Sequence, residues 1–126
     1  IRDRAAGVDV KKGGIFPIVH GVRVLAMQYQ IAETNTYKRI ESLVKLGILP
    51  QRIGSELMES FSILHWFRLS HHLKQQEQQC STDDLNNDVN LSTLDRLEKD
   101  LLRQSFQVVK DFKKHLSLRY RLGSGL

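Results

Sequence analysis

The chain has 126 residues, 40% hydrophobic and 26% charged, with two prolines, eight glycines and a single cysteine. This is the composition of one globular domain, and it excludes a collagen-like, linker-like or wholly disordered chain. The net charge of +5 is unevenly placed, +4 over residues 1–50, zero over 51–80, −4 over 81–100 and +5 over 101–126, so an acidic middle separates two basic ends.

No segment approaches the roughly 18 consecutive apolar residues of a spanning helix, so no membrane role is expected. Cys80 stands alone, which excludes an internal disulfide and any multi-cysteine zinc or iron–sulfur site. With no N-terminal signal pattern either, the expected compartment is the reducing cytoplasm. The chain opens on Ile1-Arg2-Asp3-Arg4 without a starting Met and is expected to continue an upstream domain.

Residues 1–16 contain Gly7, Gly13 and Gly14 and no clear period, and are expected to be an extended lead-in, leaving 17–126 as the folded domain. Pro17 suits the first turn of a helix, where its missing N–H costs nothing. Ile18, Val22, Leu25 and Tyr29 then form one stripe, giving a helix over about 17–31. Gly21 inside it implies that a neighbour packs close or that a ligand needs the space.

Glu33-Thr34-Asn35-Thr36 is a cluster of capping residues, with Thr36 the expected N-cap of a second helix over about 37–46 carrying Tyr37, Ile40, Leu43 and Val44. Gly47 falls where a left-handed C-terminal cap belongs, with Ile48 and Leu49 able to fold back, and Pro50 confirms the break. From Gln51 to about Gln79, Ile53, Leu57, Phe61, Leu64, Phe67 and His71 recur at threes and fours, which predicts a long third helix. Residues 80–90, rich in Ser, Asp and Asn, read as a polar loop. Ser92-Thr93-Leu94-Asp95 resembles a capping box, and behind it Leu94, Leu97, Leu101, Val108 and Phe112, joined by Leu102, Val109 and Leu116, form a broad stripe to about Tyr120. No period-2 alternation calls for a strand. The expected fold is all-α, an antiparallel bundle of about four helices.

Nucleophilic hydrolase signatures, a P-loop, a Rossmann glycine fingerprint, HExxH and Asp-x-Asp carboxylates are all missing, so no catalytic residue is assigned. Asp83-Asp84 lie in a loop poorly suited to fix a metal, and adjacent helical residues such as His71 and His72 point about 100° apart, so no metal site is expected. Three polar sets remain, each with two readings. His20 and Arg23, beside Gly21, can present donors to a phosphate or carboxylate, or Arg23 can join an interhelix salt bridge. Arg68, His71, His72 and Gln75 follow Trp66-Phe67 and can line a cleft, or tie the bundle together as a buried polar network. Thr34, Asn35 and Thr36 can meet an anion at a helix N-terminus, although capping alone explains them. Arg103, Lys110, Lys113, Lys114, Arg119 and Arg121 make the C-terminal end basic, but Tyr120 is the only aromatic interleaved there as an exposed candidate, so nucleic acid is disfavoured.

The stretch Asp9-Val10-Lys11-Lys12-Gly13-Gly14-Ile15-Phe16-Pro17-Ile18, then Arg23-Val24-Leu25-Ala26, then Thr34-Asn35-Thr36 with Arg39, resembles the putative nucleotidyltransferase substrate-binding domain family. Phe67-Arg68-Leu69 with His71, Asn86-Asn87, and Leu91-Ser92 with Leu94-Asp95-Arg96 fit as well, so the resemblance covers nearly the whole chain. It implies a helical accessory domain at the C-terminal end of a uridylyltransferase-like nucleotidyltransferase involved in signal transduction, commonly with CBS domains upstream. The domain would close one wall of the cleft where nucleotide and acceptor meet, while the catalytic domain supplies the carboxylates for magnesium and takes the nucleoside triphosphate. Lys11, Arg23, Thr36, Arg39, Arg68 and His71 fall at the family's recurrent polar positions and, with His20, are the expected binding residues. One departure is His71-His72, where the family commonly has His-Gln. The implied partners are the upstream nucleotidyltransferase domain and an acidic or regulatory protein acceptor, with a homodimer left open. The alternative reading is a helical interaction or dimerisation module without a small-molecule site, which an exposed apolar patch on the first or fourth helix would favour.

Overall fold

The structure is a computed structural model that describes residues 7–77 and 87–123. Residues 1–6 of the lead-in, positions 78–79 of the third expected helix, and Cys80, Asp83, Asp84 and Asn86 of the expected loop lie outside these. The described chain forms β1 (Val8–Asp9), a π-helical turn (Lys11–Ile15), α1 (Phe16–Gln28), α2 (Thr36–Lys45), α3 (Gln51–Glu77), β2 (Asp88–Val89), a 3₁₀ turn (Leu91–Thr93) and α4 (Arg96–Gly123). Four helices and one two-residue ladder make an all-α bundle.

The lead-in differs from expectation where it is described. Val8 pairs with Val89 and Asp9 with Asp88 in an antiparallel ladder. Asp9 Oδ1 then accepts from the main-chain N–H of Lys11 at 3.0 Å and of Lys12 at 2.9 Å. Those bonds hold the chain in a wide turn that closes with Phe16 N–H donating to Lys11 O and runs directly into α1. A side-chain cap and two glycines thus do the work of a regular hydrophobic period, which is why no period was visible.

Helix ends obey the same accounting of free backbone groups. Asn35, not Thr36, is the N-cap of α2, its side chain accepting from Lys38 N at 3.1 Å, and Thr36 is the first helical residue. At the other end Gly47 has φ +76, Gly47 N–H bonds Val44 O and Ile48 N–H bonds Leu43 O, the two bonds of a Schellman cap. Gln30, with φ 57, builds the same cap after α1: its N–H bonds Met27 O, and Ile31 N–H bonds Ala26 O. For α4 the capping box sits three residues later than expected. Asp95 Oδ1 accepts from Glu98 N at 2.8 Å and Glu98 Oε1 accepts from Asp95 N at 2.9 Å, while Ser92 belongs to the preceding 3₁₀ turn capped by Asn90.

Ile18, Val22 and Leu25 of α1 meet Ile40 and Leu43 of α2, Leu57, Leu64 and Phe67 of α3, and Leu102, Val109 and Phe112 of α4 in one core. Leu97, expected in the α4 stripe, is exposed, because the inward stripe runs through Leu102, Ser105, Val109 and Phe112. Buried Ser105 satisfies its hydroxyl within the helix, donating to Leu101 O at 2.9 Å. Tyr37 packs on Phe61 while Val44 lies against Gly54, so α2 and α3 are antiparallel. α3 and α4 are antiparallel too: the start of α3 at Arg52–Leu57 faces Val108–His115 of α4. Along α1 and α4 the contacts climb together, with Gly13 at Phe106, Gly21 at Phe112 and Leu116, and Gln28 at Tyr120. Those two helices run in the same direction. A Cβ on Gly21 would come 2.5 Å from Phe112 Cε2, so close packing is the reason for that glycine.

Candidate functional site

The parallel contact of α1 with α4 leaves the outward side of α4 open between two hollows. The larger, of about 670 Å³, lies between α4, β1 and the 3₁₀ turn. Its apolar floor is Val8, Leu91, Leu102 and Phe106, and Lys99, Arg103 and Lys110 stand around it with Ser92 and Gln107. The Phe106 ring reaches this position because Gly13 of the π-turn carries no side chain, and a Cβ there would sit 3.3 Å from Phe106 Cε1. Arg103 bonds Asp100 at 2.7 Å, but both side chains are exposed, so the pair is weak and its cation remains available to a ligand. No carboxylate lines the hollow among the described residues. Its volume falls in the range of small-molecule sites, and its lining suits an anionic ligand with an apolar part.

The second hollow, of about 470 Å³, lies further along the same side, between α1 and the C-terminal half of α4. Phe16, Pro17, Val24, Leu116 and Tyr120 form it, flanked by Lys12, His20 and Lys113. On α4, Lys99, Arg103, Phe106, Lys110, Lys113 and Tyr120 recur at threes, fours and a seven, which puts them on one stripe. That spacing was available in the sequence. The apolar walls supplied by Val8, Leu91 and Phe16 come from far along the chain and were not.

The residues expected to bind are distributed over several surfaces. Exposed His20 lines the second hollow and meets the Phe16 ring edge-on at 5.7 Å. Lys11 places its ammonium 5.2 Å from the centre of the same Phe16 ring. Arg23 is exposed on α1, and neither it nor Arg68 lines either hollow. Thr36 opens α2, and Arg39 Nε donates to Glu33 O at 2.7 Å, holding the loop before α2. Arg68 Nε donates to Asn87 Oδ1 at 2.9 Å. His71 lies a turn beyond it, beside Trp66, Val89 and Glu98 at the far end of the α3–α4 contact.

Burial, and after it the Arg68 guanidinium, hold His65 below the usual histidine value of 6.5. His65 packs edge-on against Phe61 at 4.6 Å, so a neutral ring suits its surroundings. Among the described residues there is no group of three His, Cys, Asp or Glu side chains that could hold a metal ion. No described helix is long and apolar enough to cross a membrane.

No curated protein and no solved structure matches the chain. The family described as "Putative nucleotidyltransferase substrate binding domain" matches residues 1–120, so with nearly its whole length covered, the chain belongs to that family.

Proposed function

We propose that this chain is the accessory, substrate-binding domain of a cytoplasmic nucleotidyltransferase in signal transduction, and that the larger hollow on α4 is the wall it turns toward the cleft. Lys99, Arg103 and Lys110 would hold an anionic group of the substrate while Phe106, Leu102 and Leu91 receive its apolar part. Lys11 and His20, which meet at Phe16, extend that basic side, whereas Arg68 and Arg39 have structural partners and would serve by holding β2 and the loop before α2. Arg23, Thr36 and His71 would reach substrate only where the adjoining domain closes over them. The carboxylates for magnesium and the nucleoside triphosphate site would belong to an upstream catalytic domain. The observation that supports this reading is the larger of the two hollows on α4, rimmed by three cations and lined by no carboxylate among the described residues.

The test is an NMR titration of the chain with a panel of nucleoside triphosphates, with and without magnesium. Saturable shifts confined to the amides around Lys99, Arg103, Phe106 and Lys110, lost in the Arg103→Glu and Lys110→Glu variants, are expected. Shifts that never saturate, spread over every basic surface and unaffected by those variants, would remove the hollow as the substrate wall.

A further inference from the structure

The second hollow shares His20 and Phe16 with the edge of that basic side, but its construction differs. Its two walls are parallel helices. α1 contributes Phe16, His20 and Val24 at steps of four, with Met27 one turn further, and α4 contributes Lys113, Leu116 and Tyr120 at steps of three and four. Phe16, Val24 and Met27 are 40%, 47% and 66% exposed, an apolar row that the chain leaves facing outward. The α1 wall of the hollow, from Phe16 to Val24, spans about 12 Å at 1.5 Å per residue, a little over two turns of helix, and Met27 continues the exposed row beyond it. Between the rows the floor is low, because Gly21 has no side chain and Leu116 lies directly against it.

A trough of this length between two parallel ridges has the shape that receives a third helix, whose apolar residues at i, i+3, i+4 and i+7 would enter it. A membrane surface is flat and would not fill it. The charge of the walls states what such a helix must carry. Residues 16–28 contain Arg23 and no carboxylate, and residues 112–121 contain Lys113, Lys114, Arg119 and Arg121 and no carboxylate. Lys12 and Lys113 flank the trough itself. A cationic helix would be repelled along its whole length and a neutral one would leave this charge unused, whereas an acidic one is attracted before contact and then held by its apolar side.

We infer that the trough between α1 and α4 is a docking site for an acidic amphipathic helix of a partner protein. The apolar row gives the affinity, and the lysines give orientation and the preference for glutamate or aspartate beside it.

The probe is a synthetic peptide of 18 residues with leucines at i, i+3, i+4 and i+7 and glutamates elsewhere, compared with an isomer of the same composition whose leucines follow no helical period. Fluorescence anisotropy is expected to show the patterned peptide binding at least tenfold more tightly than its isomer, and more weakly as salt rises. NMR shifts are expected to be confined to residues 12–27 and 113–120. Val24→Glu and Lys113→Glu, both on the surface and checked for unchanged melting, are each expected to weaken binding at least tenfold. Arg103→Glu in the larger hollow is expected to leave it unchanged, so loss of the substrate reading would not take this inference with it. Equal binding of the two peptides would overturn the proposal, as would shifts spread over the whole chain. So would binding to acidic phospholipid vesicles without binding to the peptide, or a doubling of hydrodynamic mass abolished by Val24→Glu, which would make the trough a contact between copies of this chain.

Discussion

The Asn87 side chain accepts from Arg68 Nε at 2.9 Å while its main-chain carbonyl accepts from Val10 N at 3.1 Å, so one residue fastens α3 to the segment that enters the π-turn. Arg68 is half-buried there, on the side of α3 that continues the core stripe above Leu64. Its guanidinium therefore holds the β1–β2 end of the bundle in place.

Arg68→Ala and Asn87→Ala are each expected to lower stability by about 1–2 kcal/mol in chemical denaturation, the usual cost of a hydrogen bond with a charged donor. Because they share one bond, the double variant should cost clearly less than the two losses together. An Arg68 that served only a ligand would leave the denaturation midpoint unmoved.

Three backbone positions should respond with different signs. Gly21→Ala would press a methyl against Phe112 and Leu116 and should cost about 1–3 kcal/mol by overpacking. Gly47→Ala meets nothing within 4 Å, but its φ of +76 should still cost about 1 kcal/mol. Gln30→Gly, relieving a non-glycine residue at φ 57, should stabilise by up to about 1 kcal/mol. Thermal melts of the three variants decide it.

The start of α4 can be checked in the same way. Asp95→Ala removes the side-chain acceptor for Glu98 N while keeping the main-chain N–H that Glu98 Oε1 accepts from, and should cost about 1 kcal/mol. Ser92→Ala should remain within about 0.5 kcal/mol, since Ser92 caps no long helix.

His65 predicts a pH dependence with a definite sign. Its folded value is lowered, so below about 6.5 the unfolded chain takes up a proton more readily than the folded one. The stability associated with the neutral ring is present above 6.5, is lost as pH falls below it, and levels off once pH passes the lower folded value. Unfolding free energies measured from pH 8 to pH 5 should fall along this course, and His65→Gln should flatten that component.

Helices were legible wherever burial and period coincide. Leu57, Phe61, Leu64 and Phe67 announce α3, and Gly47 followed by Ile48 announces the Schellman cap, because both signals are local. Signals failed where two neighbours compete for one role. Asn35 and Thr36 are both good caps, and Ser92 and Asp95 each stand three residues before a carboxylate; only the backbone path, with Asn90 already bonded to Ser92 N, selects between them. The π-turn carries no hydrophobic period because an Asp9 carboxylate organises it. The larger hollow is hidden for a different reason: Arg103 and Lys110 look like solvated charges until Val8 and Leu91 are brought beside them from other parts of the fold. Arg68 stands out in the sequence by its helical spacing with His71, His72 and Gln75 behind Trp66-Phe67, whereas its bond to Asn87 becomes visible only once the chain has turned back on itself.

The parallel course of α1 and α4 has a consequence for the order of assembly. The Arg119–Tyr29 and Tyr120–Gln28 hydrogen bonds join residues 90 and 92 apart in sequence, whereas α2 and α3 meet across a short connection. Closing the longer loop costs more chain entropy before any contact compensates for it. The α2–α3 hairpin should therefore form first and α1 should seat against α4 late. Variants at Tyr29 or Tyr120 would then mainly speed unfolding, while variants at Tyr37 or Phe61 would slow refolding.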